Sequence, residues 1–91
     1  MNVPKIILVT GASGFIGRAL INSLCQHGYH VRATVRSASA VAFLSNYQEQ
    51  QQLKHLWIYN LGELSNKTDW HDVLDKVDTV VHCAARAHIM R

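Results

Sequence analysis

The sequence predicts an α/β fold in which helices cover both faces of a parallel sheet. Four short apolar segments with strand character alternate with three segments whose apolar residues recur at helical spacing. A glycine-rich turn joins the first strand to the first helix. Such alternation is typical of parallel sheets with right-handed crossovers. We therefore expect four strands in the order 3-2-1-4, with a ligand crevice at the carboxyl ends of strands 1 and 4.

The glycine-rich turn is Thr10-Gly11-Ala12-Ser13-Gly14-Phe15-Ile16-Gly17, and it follows the apolar strand 5–9. Gly11 suits a tight turn, Gly14 leaves room for a pyrophosphate, and Gly17 lets the helix lie close to the strand. The free N–H groups and the dipole of the helix N-terminus bind an anion without a lysine. Because the motif lies between a predicted strand and a predicted helix, we interpret it as a dinucleotide-binding turn. The alternative is a surface turn without a ligand.

Apolar periodicity predicts the remaining elements. The first helix follows the pattern Ile16 to His27, with Ser13 as its N-cap and Gly28 just past its end. Thr68 is predicted to cap a short third helix, with Asp69 and Asp72 in its first turn. The other predicted segments are strand 29–35, helix 38–53, strand 55–60 and strand 79–83.

Composition excludes several classes of function. With 91 residues and a 48% apolar fraction, the chain suits one globular domain. The formal charge of +3 comes from scattered basic residues, which argues against nucleic-acid binding. We expect a cytoplasmic protein without a membrane segment, since the longest apolar run is far short of the roughly 20 residues that span a bilayer. Cys25 and Cys83 are interpreted as buried thiols, and the histidines show no spacing typical of a metal site.

Three stretches together resemble the extended short-chain dehydrogenase/reductase family, which includes NAD(P)-dependent nucleotide-sugar epimerases and dehydratases. They are residues 10–17, with the TGxxGFIG spacing; residues 28–36, which also resemble the dihydroflavonol-reductase branch; and residues 77–90, which are similar to the DxVxHxAA strand and loop. The resemblance implies that residues 1–91 are the amino-terminal part of a single NAD(P)-binding Rossmann-type domain. The four strands would then form an incomplete version of the family's sheet.

The resemblance also implies which residues contact the cofactor. Gly11, Gly14 and Gly17, with the backbone of Phe15 and Ile16, would hold the pyrophosphate, and the Ser13 hydroxyl could reach a phosphate. Ala84 and Ala85 would pass close under the ribose and nicotinamide, where small side chains are needed.

The residues after the second and third strands bear on cofactor choice. NAD-using members of the family carry an acidic residue where this chain has Val35-Arg36. A guanidinium suits a 2′-phosphate, so the resemblance implies NADP more than NAD. Asn60 and Leu61 stand where the family has an Asp and a backbone N–H near the adenine, and an amide oxygen can still accept a hydrogen bond. The alternatives are a solvated cation at position 36 and a simple turn residue at position 60.

The family's catalytic Tyr-x-x-x-Lys pair is missing from this chain. None of the tyrosines at positions 29, 47 and 59 has a lysine four residues later. In the family that lysine lowers the pKa of the catalytic tyrosine, because a phenol with the reference pKa of about 10 is a poor base at neutral pH. We therefore expect the NAD(P)-binding portion of a nucleotide-sugar epimerase or dehydratase, with the nucleotide-sugar bound by the full-length enzyme and no activity in the chain alone.

Three alternatives remain open at this stage. The parent enzyme could be an NADPH-dependent ketone or aldehyde reductase of the dihydroflavonol-reductase type, favoured by residues 28–36. The chain could be a non-catalytic nucleotide-binding module. It could also be a self-assembling element that forms a homodimer through the exposed edge of its fourth strand.

Overall fold

The computed structural model describes residues 3–83, which contain four strands and three helices in the predicted alternation. The elements are β1 (Ile6–Thr10), α1 (Phe15–Gln26), β2 (His30–Val35), α2 (Ala38–Gln51), β3 (Leu56–Asn60), α3 (His71–Leu74) and β4 (Thr79–His82). All strand pairs are parallel and their order is β3-β2-β1-β4, which confirms the predicted topology. Within this range no helix combines the length and apolar character needed to cross a membrane.

The main core lies between one face of the sheet and the helices α1 and α2. In the register of β1 and β2, Ile7 pairs with Val31 and Val9 pairs with Ala33. These side chains are buried in one cluster with Ile21 of α1 and Leu44 of α2. Burying one such aliphatic side chain is worth about 1.5 to 3 kcal/mol. Apolar contacts on this face therefore fix α1 and α2 against the sheet.

Arg32 of β2 attaches α3 to the opposite face. Side chains alternate along a strand, so Arg32 points away from the α1–α2 face together with its register partner Leu8. Its Nη1 donates to the carbonyl oxygens of Asp72, Val73 and Asp75 at 3.3, 2.9 and 2.7 Å. The last carbonyls of a helix have no intrahelical donors, and Arg32 supplies one. Helices thus cover both faces, as predicted.

The start of α1 differs from the sequence prediction. The N-cap is Gly14, no side chain among the described residues caps the helix, and the prediction of a Ser13 cap is wrong. The turn extends through Gly14 because Gly11 adopts a left-handed conformation, with φ of 66°, and Ala12 donates its N–H to the Thr34 carbonyl at 3.2 Å. The helix begins only after this constrained turn. Its end is confirmed, since Gly28 follows the C-cap with φ of 89°.

Thr68 does not cap α3, which begins later than predicted. The Thr68 hydroxyl accepts the N–H of Ser65 at 2.9 Å and so closes the preceding turn. Asp69 also precedes the helix, and its Oδ1 accepts the N–H of His71 at 2.9 Å. Asp72 lies in the first turn, as predicted. Local side-chain bonds of this kind compete with helix formation and delay its start.

The remaining boundaries are close to the prediction. Helix α2 ends at Gln51 because Gln52 takes a left-handed conformation, with φ of 56°, and turns the chain so that Leu53 enters the core. Ser37 caps the start of α2 by accepting the N–H of Ala40 at 3.1 Å, a cap that the sequence reasoning missed. Strands β2, β3 and β4 are each one residue shorter than predicted, and β1 is shifted by one residue so that it includes Thr10.

Replacing Arg32 with methionine tests the attachment of α3. The variant keeps an unbranched side chain but removes the donor to three carbonyl groups, so we expect the free energy of unfolding to fall by about 1 to 3 kcal/mol. Urea denaturation measures this difference. The matched control is Arg36→Met, because the Arg36 side chain is largely exposed. Equal stability of the two variants would contradict the assignment.

Candidate functional site

The glycine turn and α1 are packed against each other through Gly17. A Cβ atom at Gly17 would lie 2.8 Å from the Ala12 carbonyl oxygen and 2.9 Å from two further Ala12 backbone atoms. Side chains do not tolerate such contacts, so only glycine allows this approach. The sequence correctly indicated a close contact at Gly17, but the partner is the turn residue Ala12 rather than the strand. Ala12 is itself completely buried.

The N-terminus of α1 offers backbone donors without a competing side chain. The first intrahelical bond runs from the Arg18 N–H to the Gly14 carbonyl at 2.9 Å. The preceding N–H groups have no intrahelical acceptor, and no side chain in residues 3–83 caps them. Phe15 and Ile16 are exposed, at 79% and 70%. A close-packed glycine turn leading to uncapped N–H groups fits the pyrophosphate of a dinucleotide.

The end of β2 brings Arg36 to the same edge of the sheet. Thr10 pairs with Thr34, so Arg36, which follows β2 directly, lies at the carboxyl edge from which the glycine turn also emerges. The Arg36 Nη1 is 3.9 Å from Oε1 of Glu63, and the two side chains are 74% and 82% exposed. The guanidinium is therefore accessible, with one carboxylate beside it.

The end of β3 places Asn60 and Leu61 next to the end of β2. Val35 pairs with Asn60, and Leu61 donates its N–H to the Val35 carbonyl at 3.0 Å. Asn60 Oδ1 accepts the N–H of Gly62 at 2.9 Å and so forms the turn at the strand end. An amide oxygen has two lone pairs, so one acceptor position on Asn60 is left for a ligand.

Most of the sequence-predicted site residues therefore converge on one edge of the sheet. The glycine turn, Arg36 and the Asn60–Leu61 pair follow three adjacent strands in the observed order. Ser13 lies within the turn and is partly buried. Ala84 and Ala85 lie outside the described residues.

Thr10, the first residue of the glycine-rich turn, makes a contact that the sequence analysis did not predict. It is only 2% exposed, and its hydroxyl is hydrogen-bonded to Nδ1 of His82, its register partner on β4. The bond ties the carboxyl ends of β1 and β4 together. The signal in the sequence was a polar residue at the end of each of two apolar strands. These two strands are neighbours in the sheet.

The two cysteines do not form a reactive centre. Cys25 and Cys83 are free and only partly buried, less than the sequence analysis expected. Burial raises the pKa of the Cys25 thiol, so this group stays protonated at neutral pH and is a weak nucleophile.

Among residues 3–83, no group of three or more His, Cys, Asp or Glu side chains is arranged to hold a metal ion.

The chain is similar to members of a known protein family. The profile of the NAD dependent epimerase/dehydratase family matches residues 7–91. The chain belongs to this family. It is 36% identical over 89 residues to a UDP-glucose 4-epimerase from Vibrio cholerae, a match that covers 97% of the chain and 24% of the relative. It is also 36% identical over 80 residues to a dihydroflavonol 4-reductase from Arabidopsis thaliana, covering 88% of the chain and 21% of the relative.

Solved structures support the same family fold. The crystal structure of Gre2 from Candida albicans in complex with NADPH superposes with a TM-score of 0.71 and 25% identity, over 87% of this chain and 24% of that one. The fold is thus Rossmann-type, as predicted. The chain spans about a quarter of the length of these relatives.

Replacing Gly17 with alanine tests the packing of the turn. The new Cβ would meet the Ala12 backbone, so the helix must move away, and we expect a loss of about 1 to 3 kcal/mol in the free energy of unfolding. Thermal or urea denaturation measures this loss. Ser23→Ala is the control, because Ser23 is exposed on the same helix and alanine there should be neutral or slightly stabilising. A Gly17→Ala variant as stable as this control would contradict the close-packed turn.

Proposed function

We propose that this chain is the amino-terminal, dinucleotide-binding part of an NAD(P)-dependent enzyme that acts on a nucleotide-linked sugar, as an epimerase or dehydratase. The observation that carries the proposal is the uncapped N-terminus of α1, packed on the glycine turn through Gly17. Residues 1–91 would form one part of a single Rossmann-type domain. NAD(P) would supply hydride transfer to the intact enzyme. The residues of this chain would bind and orient it.

The proposed roles at the glycine turn divide between backbone and side chain. Gly11, Gly14 and Gly17 shape the turn, and the N–H groups of Phe15 and Ile16 donate to the pyrophosphate. The Ser13 hydroxyl, which is not used as a helix cap, is free to donate to a phosphate oxygen. On the family resemblance alone, we assign Ala84 and Ala85 to the nicotinamide side of the site.

The adenosine half of the cofactor would lie against the ends of β2 and β3. Arg36 pairs with the 2′-phosphate, which favours NADP over NAD. Asn60 Oδ1 accepts a hydrogen bond from the adenine amino group with its remaining lone pair, and the backbone at Leu61 lies beside it. Support comes from the exposure of Arg36 and from the adjacency of the two strand ends.

A reductase acting on a ketone or aldehyde is the second candidate for the parent enzyme. Residues 28–36 resemble the dihydroflavonol-reductase branch, and the 36% identity to the Arabidopsis dihydroflavonol 4-reductase supports this alternative. The nucleotide-sugar proposal is favoured by the match to the UDP-glucose 4-epimerase, which extends over 97% of the chain.

Assembly through β4 is a separate alternative. Within the described residues β4 pairs with β1 alone, and in this alternative its other edge would pair with a strand of a second copy. Such a homodimer would be indifferent to nucleotide, which distinguishes it from a nucleotide-binding module.

Calorimetric titration with NADPH and NADH tests the cofactor proposal. We expect NADPH to bind more tightly, and Arg36→Ala to weaken NADPH binding by about ten- to hundredfold, because a charge-assisted pair with the phosphate is lost. NADH binding should change little. The control is Lys54→Ala, which removes an exposed cation after α2. A preference for NADPH that survives Arg36→Ala would show that another residue selects the cofactor.

Activity assays test the proposal that this chain cannot catalyse the reaction alone. Incubation with UDP-glucose or a ketone substrate and NAD(P) should give no product, because no Tyr-x-x-x-Lys pair is present. Product formation by the purified chain would overturn the assignment of the catalytic pair to another part of the enzyme.

A further inference from the structure

We propose that Glu63 is a specificity-determining residue which competes with the 2′-phosphate for Arg36 and thereby narrows the preference for NADPH over NADH. This inference rests on the proposed function, since it requires that Arg36 faces the adenosine ribose. Its basis is the pair formed by Arg36 Nη1 and Glu63 Oε1 at 3.9 Å. The carboxylate comes from the β3–α3 loop rather than from β2, so it is separate from the strand-end acidic position of NAD-using relatives.

The loop that carries Glu63 is held in place by its own hydrogen bonds. Leu61 is tied to the Val35 carbonyl at 3.0 Å, and Asn60 Oδ1 accepts the N–H of Gly62 at 2.9 Å. Gly62 adopts a left-handed conformation with φ of 67°, which turns the chain toward Arg36. Glu63 follows directly. These bonds hold the backbone just before Glu63 beside the end of β2.

The chemistry of the pair predicts opposite effects on the two cofactors. A dinucleotide with a 2′-phosphate competes with the Glu63 carboxylate for the Arg36 guanidinium. A dinucleotide with a free 2′-hydroxyl meets no such conflict, and the Glu63 carboxylate can accept a hydrogen bond from it. Because the pair is exposed, its coupling is weak, and the effect on affinity should be about two- to fivefold. Salt should reduce it, since exposed charges are screened.

The test compares Glu63→Gln with wild type, using 2′,5′-ADP and 5′-AMP as probes of the adenosine half-site and following their binding by NMR titration. We expect the variant to bind 2′,5′-ADP about two- to fivefold more tightly in low salt and to bind 5′-AMP no better than before. The gain in affinity should largely vanish in about 0.5 M KCl, where the Debye length is only a few ångströms. Glu49→Gln is the control for net charge. Glu49 is exposed and lies near the C-terminal end of α2, whereas Arg36 precedes the N-terminal end of that helix. An equal gain in this control would overturn the proposal.

The same titrations in an Arg36→Ala background separate this inference from the proposed function. If Arg36→Ala leaves the ratio of the two probe affinities unchanged, the proposed role of Arg36 fails and the competition fails with it. If Arg36→Ala removes the preference for 2′,5′-ADP but Glu63→Gln does not shift it, the inference about Glu63 alone is wrong. If Glu63→Gln gives its full gain without Arg36, Glu63 acts by direct repulsion and not by competition, which also overturns the proposal.

Discussion

The close approach of α1 to the glycine turn is the contact on which the rest of this site depends. It requires that no Cβ stand at Gly17, where it would meet Ala12 at 2.8 Å, and that Gly11 take a left-handed conformation. The Ala12 N–H in turn bonds to the Thr34 carbonyl at the end of β2. One turn therefore joins the end of β1, the start of α1 and the end of β2. Moving any one of them would change the separation between the helix N-terminus and Arg36.

The parallel pairing of the strands explains why the residues of the candidate site lie together. Since all four strands run in the same direction, their carboxyl ends lie along one edge of the sheet. The backbone bonds from the Cys83 N–H to the Thr10 carbonyl and from the Leu61 N–H to the Val35 carbonyl extend the ladders past the strand ends. The side-chain bond between Thr10 and His82 adds to the first of these links. Backbone pairing between the strands therefore holds the site in place. The side chains that would contact a ligand follow the ends of the strands.

The topology and the glycine turn could be predicted from sequence because each rests on a local pattern. Strand order follows from alternation and handedness, and the need for Gly17 follows from motif spacing. The caps at Ser13 and Thr68 were wrong because a serine or threonine near a helix start has several possible partners. Thr68 closes a turn with Ser65, while the constrained turn at Gly11 shifts the start of α1 past Ser13. Contacts between distant residues, such as Arg32 with α3, carry no local signal at all.

The distribution of cations shows why an anion site here would depend on backbone donors. Arg18 is the cation next to the glycine turn in sequence, yet its Nε bonds to the Gly14 carbonyl at 3.3 Å and its guanidinium carbon lies 4.9 Å from the centre of the Phe43 ring. It is also 5.9 Å from the ring centre of Tyr47, whose hydroxyl donates to the Arg18 carbonyl. Arg18 therefore joins α1 to α2. Under the proposed function, the first-turn N–H groups would bind the pyrophosphate and the exposed Arg36 would discriminate at the ribose. Affinity and specificity would then reside in different elements of the fold.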